Sequence, residues 1–154
     1  VMDKDEYYMK LALANSKTAF SKNEVPVGAI IVCADKVIAS SFNQKETDVN
    51  IISHAEILAI LEASKKNSDW RLEDCTMYVT LFPCPMCASA IIQSRINKLV
   101  IGADTNDFNN KKIVEMIFKE SLNKRNLQIK EHVLENECST ILKQFFQKQR
   151  KNKQ

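Results

Sequence analysis

The chain has 154 residues, of which 45% are hydrophobic, and its formal net charge at pH 7 is +3. This length is typical of one domain with one core. No apolar run approaches the roughly 18 residues of a membrane-spanning helix, which argues against a membrane protein. The first residues carry charges of both signs and lack the apolar segment of a secretory signal. We therefore expect a single cytoplasmic domain over residues 1–154.

The positive charge is concentrated at the C-terminal end. Residues 142–154 contain five basic residues and no acidic one, whereas the rest of the chain is slightly acidic. Such a segment can contact the phosphates of a nucleic acid. It can equally be a solvated helix end, where cations suit the helix dipole. Charge alone leaves both interpretations open.

Apolar periodicity predicts alternating helices and strands along the chain. The first half predicts a helix over 5–21, a hairpin of strands 29–32 and 36–40, a loop over 43–50, and a helix from an N-cap at Ser53 to residue 65. The second half predicts a strand over 77–81, a helix over 83–92, a strand over 98–102, a helix over 112–122, a strand over 127–134 and a helix over 137–151. This alternation implies an α/β layered fold with part of the sheet parallel.

Five cysteines cannot all pair within one chain, and in a reducing compartment thiols or metal ligands are expected rather than disulfides. Cys33, Cys75 and Cys138 each lie alone among apolar neighbours. We predict that these three are small core residues with free thiols.

Two short segments carry chemistry, His54-Ala55-Glu56 and, 29 residues after His54, a Pro-Cys-Pro-Met-Cys run beginning at residue 83. Cys84 and Cys87 are three residues apart at a predicted helix start, so both sulfurs lie on one face of the first turn. The helix N-terminus favours thiolates, the form that binds metal. Catalytic zinc takes three protein ligands and leaves a fourth position for water. We predict one zinc ion held by His54, Cys84 and Cys87.

Glu56 lies two residues beyond His54, where its carboxylate can move protons beside the metal without being a ligand. A lone Cys-x-x-Cys pair is also typical of redox centres and of structural zinc sites. A redox pair would leave the His-x-Glu segment unexplained. A structural site needs a fourth ligand, and the remaining candidates are isolated in the sequence: Cys33, Cys75, Cys138 and His132.

His-x-Glu followed by Pro-Cys-x-x-Cys is the general signature of zinc nucleobase deaminases. In these segments the chain resembles the bacterial tRNA adenosine deaminases, and the resemblance covers nearly its whole length. The other matching segments are residues 24–29 (EVPVGA), 43, 78–81, 94–96, 102–103, 137–138 and 145–146. The His-x-Glu and Pro-Cys-x-x-Cys segments are shared by the wider cytidine deaminase-like superfamily. The first and the last of the other segments distinguish the tRNA adenosine deaminases within it.

This resemblance implies a single CMP/dCMP-type deaminase domain with a three-layer α/β/α cytidine deaminase-like fold and a central mixed five-stranded sheet. It also implies a homodimer with one zinc ion per subunit. The implied substrate is the wobble adenosine in the anticodon stem-loop of a tRNA, an arginine tRNA, which is converted to inosine. A zinc-activated water would attack C6 of the flipped adenine, while Glu56 protonates N1 and then the departing amine.

The resemblance also implies substrate contacts. Asn43 would hydrogen-bond the purine, the Ala55 backbone would contact the reacting base, and Val27 and Pro83 would line the pocket. Phe145 and the basic tail would approach the flanking RNA. The alternatives are that Asn43 is a turn residue closing a strand, and that the adjacent phenylalanines are core packing of the last helix.

Two departures from the family pattern bear on the substrate. The family usually has Glu before the Pro-Cys run, where this chain has Phe82, and its loop over residues 104–112 lacks glycine and has Thr105 at a usual Asp position. We expect the chemistry to survive these changes, and the altered loop would touch the nucleotides beside the target base. Two rival hypotheses remain: a zinc deaminase of a free guanine- or cytosine-type base or nucleoside, and a non-catalytic tRNA-binding subunit. The presence of Glu56 argues against the second.

Overall fold

The computed structural model describes residues 2–122 and 126–153. Its helices are α1 (Lys4–Ser21), α2 (Ala55–Asn67), α3 (Pro85–Gln93), α4 (Phe108–Leu122) and α5 (Glu135–Asn152). Its strands are β1 (Gly28–Cys33), β2 (Lys36–Phe42), β3 (Cys75–Leu81), β4 (Lys98–Ala103) and β5 (Gln128–Lys130). No helix within these described residues is long and apolar enough to cross a membrane.

The strands form one five-stranded sheet in the order β2-β1-β3-β4-β5. Strand β1 is antiparallel to both β2 and β3, whereas β3, β4 and β5 run parallel. Helices α1 and α5 pack together on one face, and α2, α3 and α4 cover the other. The predicted three-layer α/β/α fold with a mixed sheet is therefore confirmed.

Both glycines of the chain are used for close packing rather than for turns. A Cβ on Gly28 would collide with the carbonyl oxygen of Ala12 in α1, and one on Gly102 would come within 2.6 Å of the Cys138 sulfur in α5. These contacts let the two helices lie tight against the sheet. Left-handed turns therefore fall to other residues, as in the predicted β1–β2 hairpin, where Ala34 and Asp35 both have positive φ.

Most element boundaries differ from the prediction by one to four residues, and three of these differences are instructive. Helix α2 begins at Ala55 with His54 as its N-cap, so Ser53 is not the cap. Helix α4 begins at Phe108, four residues early, because the Asp107 carboxylate accepts the amide N–H of Asn110 and caps the helix there. Strand β5 ends at Lys130 because positive φ angles at His132 and Leu134 turn the chain out of the sheet.

The prediction that Cys33 and Cys75 have free thiols is wrong, because the two residues form a disulfide. They are directly opposite each other at the ends of antiparallel strands β1 and β3, with Cα atoms 4.4 Å apart. Residues 42 positions apart in sequence meet there only through strand pairing, so local sequence could not reveal the contact. Cys138 is a buried free thiol, as predicted.

A buried acidic residue ties the N-terminal helix to the sheet. The Asp5 carboxylate, on the first turn of α1, accepts hydrogen bonds from the Tyr78 hydroxyl at 2.9 Å, Lys98 Nζ at 3.0 Å and Lys130 Nζ at 2.9 Å. Burial would raise the pKa of Asp5, but these hydrogen bonds outweigh it and lower the pKa to about 2. The network joins α1 to β3, β4 and β5.

We expect Asp5→Asn to lower the free energy of unfolding by about 2–3 kcal/mol at pH 7, because the folded state holds this carboxylate ionised more strongly than the unfolded chain does. Since the folded pKa is depressed, the stabilisation is present above about pH 4 and is lost as the pH falls toward 2. Urea unfolding at pH 7 and pH 3 measures both effects.

The matched control is Asp3→Asn, because Asp3 is exposed and lies 3.7 Å from Lys130. Its effect should stay within about 0.5 kcal/mol. An equal loss in both variants, or a loss in Asp5→Asn that does not shrink in acid, would contradict the role given to Asp5.

Candidate active site

Chemistry-bearing residues converge at the carboxyl ends of the parallel strands β3 and β4. Because β1 is antiparallel to β3, the segment that enters β1, Val25–Val27, lies beside the end of β3. The first turns of α2 and α3 point to the same place. In sheets with parallel strands, ligands bind outside these carboxyl ends where the strand direction changes.

His54, Cys84 and Cys87 form one cluster there. His54 Nδ1 lies 3.8 Å from the Cys84 sulfur and 3.5 Å from the Cys87 sulfur, and the possible ligand atoms of all three residues lie within 4.8 Å of one another. His54 is the N-cap of α2, Cys84 is the N-cap of α3, and Pro85 occupies the first turn of α3. This is the only His, Cys and acid group among the described residues that can hold a metal ion.

The two thiols are electrostatically unequal. The pKa of Cys84 is lowered to about 4, first because the Cys87 thiol donates a hydrogen bond to it, and also because His54 lies beside it. The pKa of Cys87, the buried donor, is raised for the same reason and by burial. The pKa of His54 is raised, chiefly through its hydrogen bond with Cys84. The cluster thus holds a thiolate against an imidazole, a donor set that suits a borderline-soft divalent cation.

Glu56 is almost completely buried behind this cluster, with 4% of its surface exposed. Its pKa is raised to about 7, mainly by burial and to a smaller extent by the neighbouring Cys84, while His54 opposes the shift. A carboxyl group with a pKa near neutrality can both accept and release a proton at physiological pH. The side chain therefore has the properties of a general acid–base group.

The cluster opens into a cavity of about 260 Å³. Seven of the nine residues predicted for the site line it: Val27, Asn43, His54, Ala55, Glu56, Pro83 and Cys84. Cys87 is fully buried beneath it. The walls combine apolar side chains with polar groups at the metal cluster, at Asn43 and at the residues that border the loop after β4. A cavity of this size accepts a flat ring, and its polar groups can fix the orientation of that ring.

The Asn43 amide is held by backbone on both sides. Its Nδ2 donates to the Val25 carbonyl at 3.2 Å, and its Oδ1 accepts the Lys45 amide N–H at 3.1 Å. Each amide atom keeps one further hydrogen-bonding position, since Nδ2 has a second hydrogen and Oδ1 a second lone pair. Asn43 is thus both a turn residue, the alternative considered from sequence, and a preoriented donor and acceptor at the cavity.

Phe145 does not line this cavity. It is buried, with its ring 5.9 Å from that of Phe20 in α1 and 5.5 Å from that of Phe146. Phe146 is 48% exposed and lines a second cavity of about 700 Å³ together with Lys143 and Arg150. The two cavities share three wall residues, Leu81, Thr105 and Asp107.

Sequence reasoning missed several residues around the cavity. Lys45 and Asn110 line it, and no motif marks them. Phe82 also lines it and lies 5.3 Å below the Lys111 ammonium, which binds the Asp104 carboxylate at 2.8 Å. The glycine-free loop after β4 is held by these contacts, so the two sequence departures at Phe82 and at residues 104–112 are physically linked. Glu24, taken from sequence only as part of EVPVGA, anchors the loop that carries Asn43.

Comparisons with known proteins agree with this geometry. The family model described as MafB19-like deaminase matches residues 2–150. The tRNA-specific adenosine deaminase of Buchnera aphidicola subsp. Schizaphis graminum is 42% identical over 96% of this chain and 97% of its own. That of Bacillus subtilis is 43% identical over 99% of this chain and 94% of its own.

Solved structures point the same way. One solved structure comes from work on A-to-I editing by tRNA:A34 deaminases at the wobble position of transfer RNA. It is 32% identical to this chain with a TM-score of 0.81, and the match covers 88% of this chain and 98% of the other. A guanine deaminase from Nitrosomonas europaea shares the fold, with a TM-score of 0.79 at 22% identity over 94% of this chain and 86% of its own. Because relatives that match it over nearly their full length are tRNA-specific adenosine deaminases, the chain belongs to this family, and it is a deaminase.

Proposed function

We propose that this protein hydrolyses the wobble adenosine of a tRNA anticodon to inosine, with His54, Cys84 and Cys87 as zinc ligands and Glu56 as the proton carrier. The observation that carries the proposal is a buried carboxyl group with a pKa near 7 beside a His-Cys-Cys cluster at the floor of a ring-sized cavity. The substrate comes from the tRNA-specific adenosine deaminases to which the chain is 42–43% identical.

The cluster fits zinc by its donor chemistry. One imidazole nitrogen and two sulfurs are the ligand types of catalytic zinc, and the cluster faces an open cavity rather than a fourth protein ligand. When bound, the metal supplies Lewis-acid activation of a water molecule at neutral pH. We expect one zinc ion per subunit.

Zinc content tests the ligand assignment without reference to activity. Cys87→Ser should weaken zinc affinity by more than the roughly 10- to 100-fold that lost outer contacts cost, because a thiolate ligand is removed. Cys138→Ala is the matched control, since Cys138 is buried elsewhere, against Gly102. Elemental analysis after dialysis against a weak chelator should find about one zinc per chain in the control. Equal zinc in both variants would exclude Cys87 as a ligand.

In this proposal Glu56 moves the protons during hydrolysis. The carboxylate takes a proton from the attacking water and delivers it to the ring nitrogen N1. It then carries the remaining proton of that water, now on the hydroxyl at C6, to the departing amine. The bond from C6 to oxygen forms, the bond from C6 to nitrogen breaks, and ammonia leaves with inosine as product. Burial keeps bulk water away from these transfers. It also raises the pKa of Glu56 to about 7, at which the group can both accept and donate a proton.

The cavity walls orient the base. Val27, Pro83 and the Ala55 backbone would form the apolar slot around the ring, and the Asn43 amide, which lines the cavity, would donate to and accept from the base. A nucleotide can enter such a slot only when it is flipped out of its stack, which favours the unpaired anticodon loop as substrate.

The second cavity suits the nucleotide beside the target. Its exposed Phe146 offers a face on which a base can stack, and Lys143 and Arg150 offer cations for phosphates. Phe146 therefore takes the RNA-contacting role that the family resemblance implied for Phe145. Because the cavities share Leu81, Thr105 and Asp107, adjacent nucleotides can occupy both.

We also propose a homodimer, a single deaminase domain over residues 1–154, and a location in the cytoplasm with the tRNA pool. The dimer is supported by large apolar side chains exposed in the loop before α2 and on α4: Val49, Ile51, Ile52, Phe108, Ile113 and Met116. Large areas of exposed apolar surface are typical of protein interfaces. Sedimentation of the purified protein measures the state directly.

The activity itself is tested with an arginine tRNA transcript carrying a wobble adenosine, read by sequencing for inosine. We expect conversion by the wild type, and a loss of roughly 10²- to 10⁴-fold in Glu56→Gln with zinc retained, because only the proton carrier is removed. Free guanine, cytosine and adenosine are parallel substrates. Turnover of a free base but not of tRNA would overturn the proposed substrate, and binding of tRNA without turnover would indicate the non-catalytic subunit.

Phe146→Ala should raise KM for tRNA about tenfold, because stacking of one base on an aromatic ring is lost. Its dependence on salt should not change, whereas Arg150→Gln should lower the slope of log affinity against log salt by about one. Tyr7→Ala is the control, since Tyr7 is an exposed aromatic on α1 that lines neither cavity. An unchanged KM in Phe146→Ala would remove this residue from the substrate site.

A further inference from the structure

The loop between β2 and α2 carries two groups of the active site, Asn43 at its start and His54 at its end. Its backbone is closed on itself, since the Gln44 amide donates to the Ser53 carbonyl and the Asn50 amide to the Lys45 carbonyl, both at 3.0 Å. Whatever fixes the turn at residues 45–47 therefore fixes the first part of the loop, where Asn43 lies.

The proposed chemistry does not use one buried acid, Glu24, which is 1% exposed. Its Oε1 accepts the amide N–H of Glu46 at 3.0 Å, and its Oε2 accepts that of Thr47 at 2.7 Å. Burial alone would raise its pKa, yet the hydrogen bonds from Thr47 and Glu46 outweigh this and lower it. A carboxylate buried in this way stays charged because backbone donors replace its water.

We propose that Glu24 is a positioning residue for the reaction, because its carboxylate holds the turn at residues 45–47 and so sets how Asn43 faces the nucleobase. The chain of contacts is short. The carboxylate binds the amides of Glu46 and Thr47, and the preceding amide, that of Lys45, is bound by Asn43 Oδ1. This inference rests on the proposed function, since it assigns Asn43 to the base.

Two acceptor oxygens are needed, and only a carboxylate of this length supplies both. In Glu24→Gln one oxygen remains, and the side-chain NH₂ group faces an amide N–H that has lost its acceptor. An unpaired buried donor is costly, so the turn should move away and take Asn43 with it. The metal cluster should persist, because Cys84 and Cys87 are held by α3, and His54 is held by α2 as its N-cap, with its carbonyl accepting the Leu58 amide N–H at 3.0 Å.

We expect Glu24→Gln to lower kcat/KM for tRNA about 10- to 100-fold, mainly through KM, with zinc content unchanged. The matched control is Glu62→Gln, the same chemical change at a Glu of α2 whose side chain is 39% exposed. The control should behave as the wild type. Loss of zinc in Glu24→Gln, or an effect on kcat alone, would overturn the positioning role.

A double-mutant cycle with Asn43→Ala separates positioning from general support of the fold. If Glu24 acts through Asn43, Glu24→Gln should change kcat/KM by less than about threefold once Asn43 is already Ala, because coupled residues are not additive. A full 10- to 100-fold reduction in that background would overturn the inference.

Amide hydrogen exchange tests the anchor in the intact protein without any substrate. Exchange of the amides at residues 45–47 should become at least about tenfold faster in Glu24→Gln, and the amides of β3 should be unchanged. Unchanged exchange at 45–47 would overturn the inference. An inactive wild type would overturn the proposed function, whereas an active wild type with an unaffected KM in Glu24→Gln would overturn only the role of Glu24.

Discussion

The candidate active site depends on the N-termini of two helices, α2 and α3, which meet at the carboxyl end of β3. His54 caps α2, Cys84 caps α3, and Cys87 and Glu56 lie on the first turns of the same helices. The positive ends of both helix dipoles therefore face the Cys84 thiolate and Glu56, the proposed proton carrier. The pairing of β3 with β4 sets the position of α3, which connects these two strands, and the loop after β2 sets the position of α2. The site therefore forms only when the strands of the sheet are correctly paired and this loop is folded.

Around the site, acidic side chains hold two loops in place by hydrogen bonds and an ion pair. Glu24 binds backbone amides of the loop before α2, and Asp104 binds Lys111 and the Thr105 amide after β4. With only two glycines, both committed to helix packing, the chain closes its active-site loops by side-chain hydrogen bonds to backbone. The cavity is thus built from fixed loops, which favours a preformed slot over one that closes on the substrate.

Helices and strands with clear apolar periodicity were predictable, and their boundaries were not. The start of α4 is set by the Asp107 carboxylate, and the end of β5 by left-handed residues, neither of which leaves a periodic signal. Local pattern likewise placed His54, Glu56 and the two site cysteines, because their spacing on helix starts is itself the chemical signature. Local pattern could not tell which of Phe145 and Phe146 is buried and which is exposed, because that depends on which face of the helix packs against the rest of the fold.

The sequence by itself predicted the element order, the proposed metal-binding donor set, the proposed acid–base residue and the family, because each depends on residue types at short spacing. Tertiary structure alone decided that Cys33 meets Cys75, that Asp5 binds two lysines of the sheet, and that Glu24 holds the loop of Asn43. These contacts join residues 22 to 125 positions apart. Strand order and helix packing bring such residues together, and no local pattern encodes that geometry.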